Sequence, residues 1–458
     1  GLDSTGLQNI LLSIPGQPIS QTALEKDQRE VLRRLQNSGY AFAEVTGDIE
    51  VKRDSKRAVV AFRVIPGPVC RFGDVSVEGN QKVSDGIIRR GLTFQRGEVY
   101  QMSKILDSQR ELYRAGVFRS VSLALPDSLE QSSPVPMVVS VSERRPRSLK
   151  LGAGYDTEEQ IRGSITWQHR NFLGGARRFA LESAASSLEI SATLGIRQPY
   201  VFGSRTWLSL SGFIEQDRPE EIRVKRSGGS ASLERTFRST GRLVFEIRTE
   251  LVDFQADSTR TNFILAYQED TRDDFFDPQR GAVALITLEE SGHFFQSEQE
   301  LLKLTGEGRW YRRIRSRGVL AFRVSAGWIR ELGKTREVPN FERFFSGGAR
   351  SVRGWRLNQL GPRDAAGVPV GGLSQLEGGI ELRYRIFPVV GAAIFLDGGN
   401  VGSDRLDAFD LTTLKWSVGY GLRYLSPIGP LRVDVAHRLS EDSLEPGRRI
   451  YFSFGQAF

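Results

Sequence analysis

Arg353 stands in the string Ser351-Val352-Arg353-Gly354-Trp355-Arg356, inside a long glycine-rich loop. Its guanidinium is a permanently charged planar fork that grips carboxylates at two points. Gly354 lets the backbone take positive φ, and Trp355 is large enough to anchor a turn. These are the parts of a charge-pairing loop. The parts of a bond-breaking site are missing: there is no GxSxG elbow, no GxxxxGK[ST] phosphate loop and no HExxH. His169, His293 and His437 are dispersed without ligand spacing. Cys70 is the single cysteine, which excludes an intramolecular disulfide and thiolate metal clusters, and it reads as a small core residue. Asp270, Asp273, Asp274 and Asp277 have the carboxylate density of a calcium site, but a solvated turn explains them more simply. No enzyme activity, cofactor or metal is expected.

The framework that would position such a loop is read from composition first. The 458 residues suffice for two or three domains. A hydrophobic content of 39% and a mean hydropathy of −0.31 describe an ordinary soluble protein, and no run approaches the ~18 apolar residues of a spanning helix. A transmembrane barrel gives the same averages, because its apolar residues occupy every second position around a polar lumen. The 48 glycines and 27 phenylalanines favour that reading. The net charge of +8 is carried mostly by arginine. The arginines alternate with apolar residues and form no stripe, so they read as lumen and turn residues, with no nucleic-acid partner expected. No signal peptide precedes Gly1, which reads as a processed or truncated start and does not argue for the cytoplasm.

The first third repeats an α-and-β pattern. A capping box at 22–25 opens a helix whose apolar face is Leu24, Val31, Leu32 and Leu35. Gly39 stops it, and a strand begins with Tyr40-Ala41-Phe42. Later, Ser103 caps a helix bearing Ile105, Leu106, Leu112 and Tyr113; Gly116 ends it and a strand begins at Val117. Each unit adds a second strand, 58–64 and 137–141. In the second repeat an opening strand, 70–78, and a first helix come before this pattern, giving β-α-α-β-β. After Pro146 the helical period vanishes and period-two strands run to the end. In Gly241–Phe254, Leu243, Phe245, Ile247 and Leu251 oppose Arg242, Glu246, Arg248 and Glu250. Ile380, Leu382, Tyr384 and Ile386 oppose Glu381, Arg383 and Arg385, while Leu431, Val433 and Val435 oppose Arg432, Asp434 and Arg438. A soluble sandwich and a water-filled barrel fit this alternation equally. Roughly sixteen segments, with short turns alternating with long loops, match an outer-membrane barrel, and the chain closes on an aromatic ladder ending at Phe458.

The β-α-α-β-β order and the phrase Phe72-Gly73-Asp74-Val75-Ser76-Val77-Glu78-Gly79-Asn80 resemble the POTRA module. With the strand count, the Val352-Arg353-Gly354-Trp355 loop and the terminal Phe458, the whole chain resembles the BamA/TamA superfamily of outer-membrane assembly factors. Asp270-Thr271-Arg272-Asp273 with Pro278-Gln279-Arg280-Gly281 is similar to the family's mid-barrel turn. Phe395-Leu396-Asp397-Gly398-Gly399 is similar to its FxDxG strand motif. Leu360-Gly361-Pro362-Arg363-Asp364 and Gly371-Gly372 lean toward the TamA branch, although Trp355 replaces the more usual Phe or Tyr. The fold class implied is α+β POTRA modules followed by an all-β sixteen-stranded antiparallel transmembrane barrel. The domains are 1–67, a POTRA module lacking its opening strand, 68–146, a second module, and 147–458, the barrel. Residues before Gly1, and with them further modules, are inferred to be missing.

The resemblance implies that the loop folds into the lumen and that Arg353 pairs with acidic wall residues. By alternation Glu381, Phe395 and Asp397 point inward from consecutive strands, with Gly399 beyond them. A symmetric hairpin sets Glu381 opposite Phe395 and diagonal to Asp397, at a separation of roughly 7–8 Å that one guanidinium can bridge. The residues alone equally permit Asp397 to pair with Arg383, Arg423 or Arg432; the resemblance favours Arg353. Gly152 and Gly154 in the first strand and Gly455 and Phe458 in the last mark a weak seam, or else the glycines only accommodate lumen packing. The function implied is an insertase lending a strand edge to unfolded outer-membrane clients in the lipid bilayer. Its partners would be TamB-like or the Bam-type lipoproteins, with POTRA modules in the periplasm. A two-partner secretion transporter is the alternative, and a passive porin or adhesin is disfavoured by the POTRA repeats.

Overall fold

A computed structural model describes residues 11, 13, 16–52, 54, 57–126, 133–218, 223–237, 240–254, 256–292, 299–427, 429–440 and 447–454. The chain divides into two compact units. The first comprises Gly1–Pro146 with Arg170–Arg177 and Pro199–Arg205; the second holds Arg147–His169, Arg178–Gln198 and Thr206–Phe458.

In the first unit the order is α1 (Gln21–Asn37), β1 (Glu44–Lys52), β2 (Arg57–Ile65), β3 (Phe72–Glu78), α2 (Asp85–Arg90), α3 (Met102–Arg114), β4 (Phe118–Ala124) and β5 (Val135–Glu143). β1 and β2 form an antiparallel pair running from Glu44 opposite Ile65 to Lys52 opposite Arg57. In the second repeat β5 lies between β3, which it meets in parallel, and β4, which it meets antiparallel. β5 buries Val135, Met137, Val139 and Val141, its alternate residues. Val135 and Met137 share a core with Cys70, Phe72, Phe94, Tyr100 and Ile105, with the Phe72 and Phe94 rings stacked 4.1 Å apart. Cys70 is fully buried there, and burial pushes its thiol above the usual cysteine range.

Several local expectations need correction. Thr22 lies inside α1, whose N-cap is Ser20 without a side-chain bond. Ser103 likewise lies inside α3, capped at Gln101, and the free Ser103 N–H is met at 2.8 Å by the Asn37 carboxamide from the end of α1. A long-range acceptor has replaced the local cap. The buried stripe of α3 is Ile105, Ser108, Glu111 and Leu112, while Leu106 and Tyr113 are exposed. The strand expected from Tyr40 starts at Glu44. The inference about a missing opening strand and missing modules falls on residues 1–10 and whatever precedes them, outside the described residues.

The second unit is a single sheet of sixteen strands, each antiparallel to the next. They are β6 (Arg147–Asp156), β7 (Gln160–His169), β8 (Arg178–Ala185), β9 (Glu189–Pro199), β10 (Thr206–Asp217) and β11 (Val224–Phe237). β12 (Gly241–Phe254), β13 (Ala256–Asp270), β14 (Gly281–Ser291), β15 (Leu301–Ile314) and β16 (Gly318–Glu331) follow. The sheet ends with β17 (Ser374–Phe387), β18 (Val390–Gly402), β19 (Lys415–Ser426), β20 (Gly429–Arg438) and β21 (Arg448–Phe454). The burial pattern decides between sandwich and barrel. Ile380, Leu382, Tyr384, Ile386 and Val433 are exposed, whereas Glu381, Arg383, Arg432 and Asp434 between them are buried. An apolar outside around an enclosed charged inside suits a molecule whose outer solvent is lipid. No helix among the described residues is long and apolar enough to span a membrane.

Candidate functional site: the lumen loop and the seam

Residues 332–373 join β16 to β17, the eleventh and twelfth barrel strands. Isolated bridges between Phe344 and Gly372, Ser346 and Leu360, and Arg363 and Pro369 fold this loop on itself. Its tip enters the lumen: Val352, Arg353, Trp355 and Leu360 are each no more than 2% exposed. Gly354 has φ +108°, a backbone that L side chains rarely adopt, and a Cβ there would lie 3.0 Å from Arg438 Cγ. Gly399 on β18 makes room for the tip, since a Cβ would stand 2.7 Å from Val352 Cγ2.

Arg353 ends in a three-carboxylate receptor. Its Nε and Nη2 donate to Asp397 Oδ2 and Oδ1 at 2.6 and 2.9 Å, and Nη1 donates to Glu381 Oε2 at 2.7 Å and Asp434 Oδ2 at 3.3 Å. The Phe395 ring backs the guanidinium, its centroid 3.3 Å from Cζ. The register is the symmetric one, Glu381 opposite Phe395 and Gly379 opposite Asp397. The rival arginines serve the other two carboxylates. Arg383 donates to Glu381 at 2.7 Å, Arg423 to Asp434 and, at 3.4 Å, Glu381, and Arg432 to Asp434 at 3.2 Å.

A second anchor of opposite sign holds the loop's entering limb. Glu342, in the 3-10 turn Asn340–Glu342, is buried against β13 and β15. Arg260 Nη1 lies 2.5 Å from Glu342 Oε1 and Arg260 Nε donates to Glu250 at 2.6 Å. Lys303 Nζ donates to the Glu342 carbonyl oxygen at 2.9 Å. Phe341 fills the space beside them, edge-on to Phe254 at 5.1 Å.

The strand order runs from β6 to β21 without a ladder joining those two among the described residues. The Thr157 N–H donates to the Phe452 carbonyl at 3.1 Å, and the Tyr155 and Phe452 rings stand 6.2 Å apart. The loop touches both sides of this seam. Ala349 N–H donates to Glu158 Oε1 at 2.7 Å in the β6–β7 turn. On β21 the Tyr451 hydroxyl accepts from Gly354 N–H at 2.9 Å and donates to the Trp355 carbonyl at 2.7 Å. Burial raises the Glu158 carboxyl above the usual range, with the Ala349 N–H opposing.

The profile described as "Omp85 superfamily domain" matches residues 171–458, well over half of the chain. The chain belongs to the Omp85 superfamily. The POTRA profile, described as "Surface antigen variable number repeat", matches residues 2–67 and 70–144. Among curated relatives, "Outer membrane protein assembly factor BamA" of Nitratidesulfovibrio vulgaris is 27% identical over 446 residues, covering 92% of this chain and 55% of that protein. BamA of Neisseria meningitidis is 22% identical, covering 99% and 64%. This chain thus spans between half and two-thirds of their lengths. Among solved structures, BamA of Haemophilus ducreyi lacking POTRA domains 1–3 superposes with TM-score 0.73 at 19% identity, covering 98% of this chain and 96% of that one. CdiB of Acinetobacter baumannii does so with 0.56 at 13%, covering 100% and 88%. At these identities the likeness is one of fold.

Within this Omp85 barrel, Val352, Arg353, Gly354, Trp355, Glu381, Phe395, Asp397 and Gly399 come together around the loop tip. Gly152 and Gly154 lie on β6 opposite Ser164 and Arg162, whose side chains cross them; a Cβ on Gly154 would sit 2.7 Å from Arg162 Nε. Gly455, Phe458 and His293 lie outside the described residues. Asp270 pairs with Arg272 at 2.7 Å, while Asp273 and Asp274 each accept two backbone N–H groups, as turn residues do. The sequence reading missed Asp434, Tyr451, Glu158 and the whole Glu342 anchor. Only Asp434 carried a signal, as an acidic residue on the charged face of the next-to-last strand.

Proposed function

We propose that this protein is an insertase of the outer membrane, lending the edge of its seam to β-strand clients that are still unpaired. The Omp85 barrel resides in the outer membrane, with POTRA repeats on the periplasmic side. One observation carries the reading: β6 and β21 are the neighbours that share no ladder among the described residues. An open strand edge is intolerable in lipid, so an edge offered inside the bilayer lowers the barrier for a client strand. The role is non-enzymatic: binding and alignment suffice, with no bond made or broken. The name of the similar relatives, outer membrane protein assembly factor, supports the same reading. Either a TamB-like periplasmic protein or Bam-type lipoproteins would complete the machine; affinity purification from native membranes separates these.

The test uses Thr157→Cys with Phe452→Cys, the positions joined by the seam's backbone bond. Oxidation is expected to abolish client insertion into proteoliposomes and reduction to restore it. Full insertion by the oxidised protein would exclude the seam as the route. Export of an adjacent secreted polypeptide by that same oxidised protein would favour the two-partner secretion reading, which has the CdiB-like fold behind it.

A further inference from the structure

We propose that the short-turn rim at the β15–β16 hairpin binds the headgroup of an anionic phospholipid of the inner leaflet. The rows of outward side chains follow from the register. At the rim Ile314, Gly318 and Tyr384 stand side by side; above them come Arg312, Leu320 and Leu382, and then Trp310, Phe322 and Ile380. Trp310, Ile314, Leu382, Tyr384 and Ile380 are all exposed to the surroundings of the barrel, and the Trp310 and Phe322 rings pack 5.5 Å apart. Aromatic rings beside a rim mark the level of the lipid headgroups.

Arg312 is out of place in this apolar face. It is exposed, and Arg315 and Arg317 in the adjoining turn are exposed as well. Among the described residues none of the three side chains has an acidic partner or a hydrogen bond. In the β13–β14 turn, Asp277 pairs with Arg385 at 3.1 Å, and Asp273 and Asp274 accept backbone N–H groups. A guanidinium on the lipid face is unfavourable unless it snorkels to the interface and meets an anion there. Arg312 stands one row from the rim, and Arg315 and Arg317 in the turn add two more positive forks. A phosphodiester matches that geometry at two points. The first carbons of the acyl chain lie along the Leu320–Leu382 row. Three cations around one phosphate repel the ammonium of a zwitterionic headgroup, which makes the net-anionic class the preferred occupant.

The experiment uses the full chain in nanodiscs of phosphatidylglycerol and phosphatidylcholine in equal amounts, with retained lipid measured after detergent extraction by native mass spectrometry. Wild-type protein is expected to retain phosphatidylglycerol preferentially, and each of Arg312→Gln, Arg315→Gln and Arg317→Gln to lower that enrichment about fivefold. Arg312→Lys, which keeps the charge but loses the fork, is expected to fall between. Far-ultraviolet circular dichroism establishes that each variant is folded. The Arg315→Gln/Arg317→Gln pair, confined to the turn, serves if Arg312→Gln is not. Unchanged enrichment in folded variants overturns the proposal, as does equal retention of the two lipids by wild type. Displacement of the lipid by inorganic phosphate would instead indicate a site for free anions. No client is present, so the outcome is independent of the insertase reading.

Discussion

Arg353, Arg383, Arg423 and Arg432 share one water-poor space with Glu381, Asp397 and Asp434, all of them under a tenth exposed. Pairs so buried add little net stability, because desolvation offsets their attraction, but removing one partner strands the other at about 3–5 kcal/mol. Both Asp397 oxygens are engaged by Arg353. Arg353→Ala is therefore expected to destabilise the barrel by about that amount and to release the loop, read as faster tryptic cleavage within 348–360. Arg423→Ala removes donors from Asp434 and Glu381 and should also destabilise, yet it leaves the Arg353–Asp397 fork intact and the cleavage rate near wild type. Equal cleavage of the two variants would refute Arg353 as the tether. The Glu381–Phe395–Asp397 arrangement was legible in the sequence because it depends on one hairpin, where alternation and a tight turn set the register. Asp434 was not: its approach spans β18, β19 and β20, and each further strand adds an offset that no local pattern records.

Elements here are held by contacts that bypass local rules. The Asn37 cap on α3 and the Glu342 anchor both join segments far apart in sequence, so capping patterns and periodicity could not reveal them. Glu342 lies in an irregular loop stretch with no period at all, and its partners Arg260 and Lys303 looked like any lumen-facing cations. Glu342→Gln keeps the shape and removes the charge facing Arg260; it is expected to cost about 3 kcal/mol and to raise hydrogen exchange at 338–346, while exchange at 351–355 changes little. In the second repeat, Glu143 Oε1 accepts from the backbone N–H groups of Gln81, Lys82 and Val83 at 2.8, 2.8 and 2.9 Å, pinning the turn that leads into α2. Burial raises this carboxyl, but the three N–H donors outweigh it and hold the group below the usual range. A depressed folded pKa gives stability that is complete above the unfolded carboxylate value, ~4.3, and is lost as pH falls through the folded value. Amide protection at Gln81–Val83 is thus expected to fall on acidification below about pH 4, and Glu143→Gln to show reduced protection already at neutral pH.

At the scale of the barrel, the loop and the seam are physically one assembly. The tip is tethered to β18 through Asp397, to the β6–β7 turn through Glu158, and to β21 through Tyr451. In the proposed gating, opening the seam separates Glu158 from Tyr451, and the loop gives up one of the two. A ligand or contact shifts an equilibrium only by its differential affinity for the two states. Here the Tyr451 hydroxyl, which satisfies both the Gly354 N–H and the Trp355 carbonyl, contributes such a term to the closed form. Tyr451→Phe leaves both backbone groups unsatisfied in a buried site, a penalty of about 1–3 kcal/mol that opening relieves. In the Thr157→Cys/Phe452→Cys background, adding Tyr451→Phe is expected to slow disulfide formation at the seam several-fold, since the closed pairing is populated less. Glu158→Gln, whose amide oxygen still accepts from Ala349, is expected to slow it less. If Tyr451→Phe leaves the rate unchanged while still loosening the loop to trypsin, loop and seam move independently, and the loop acts as a lumen brace without governing the gate.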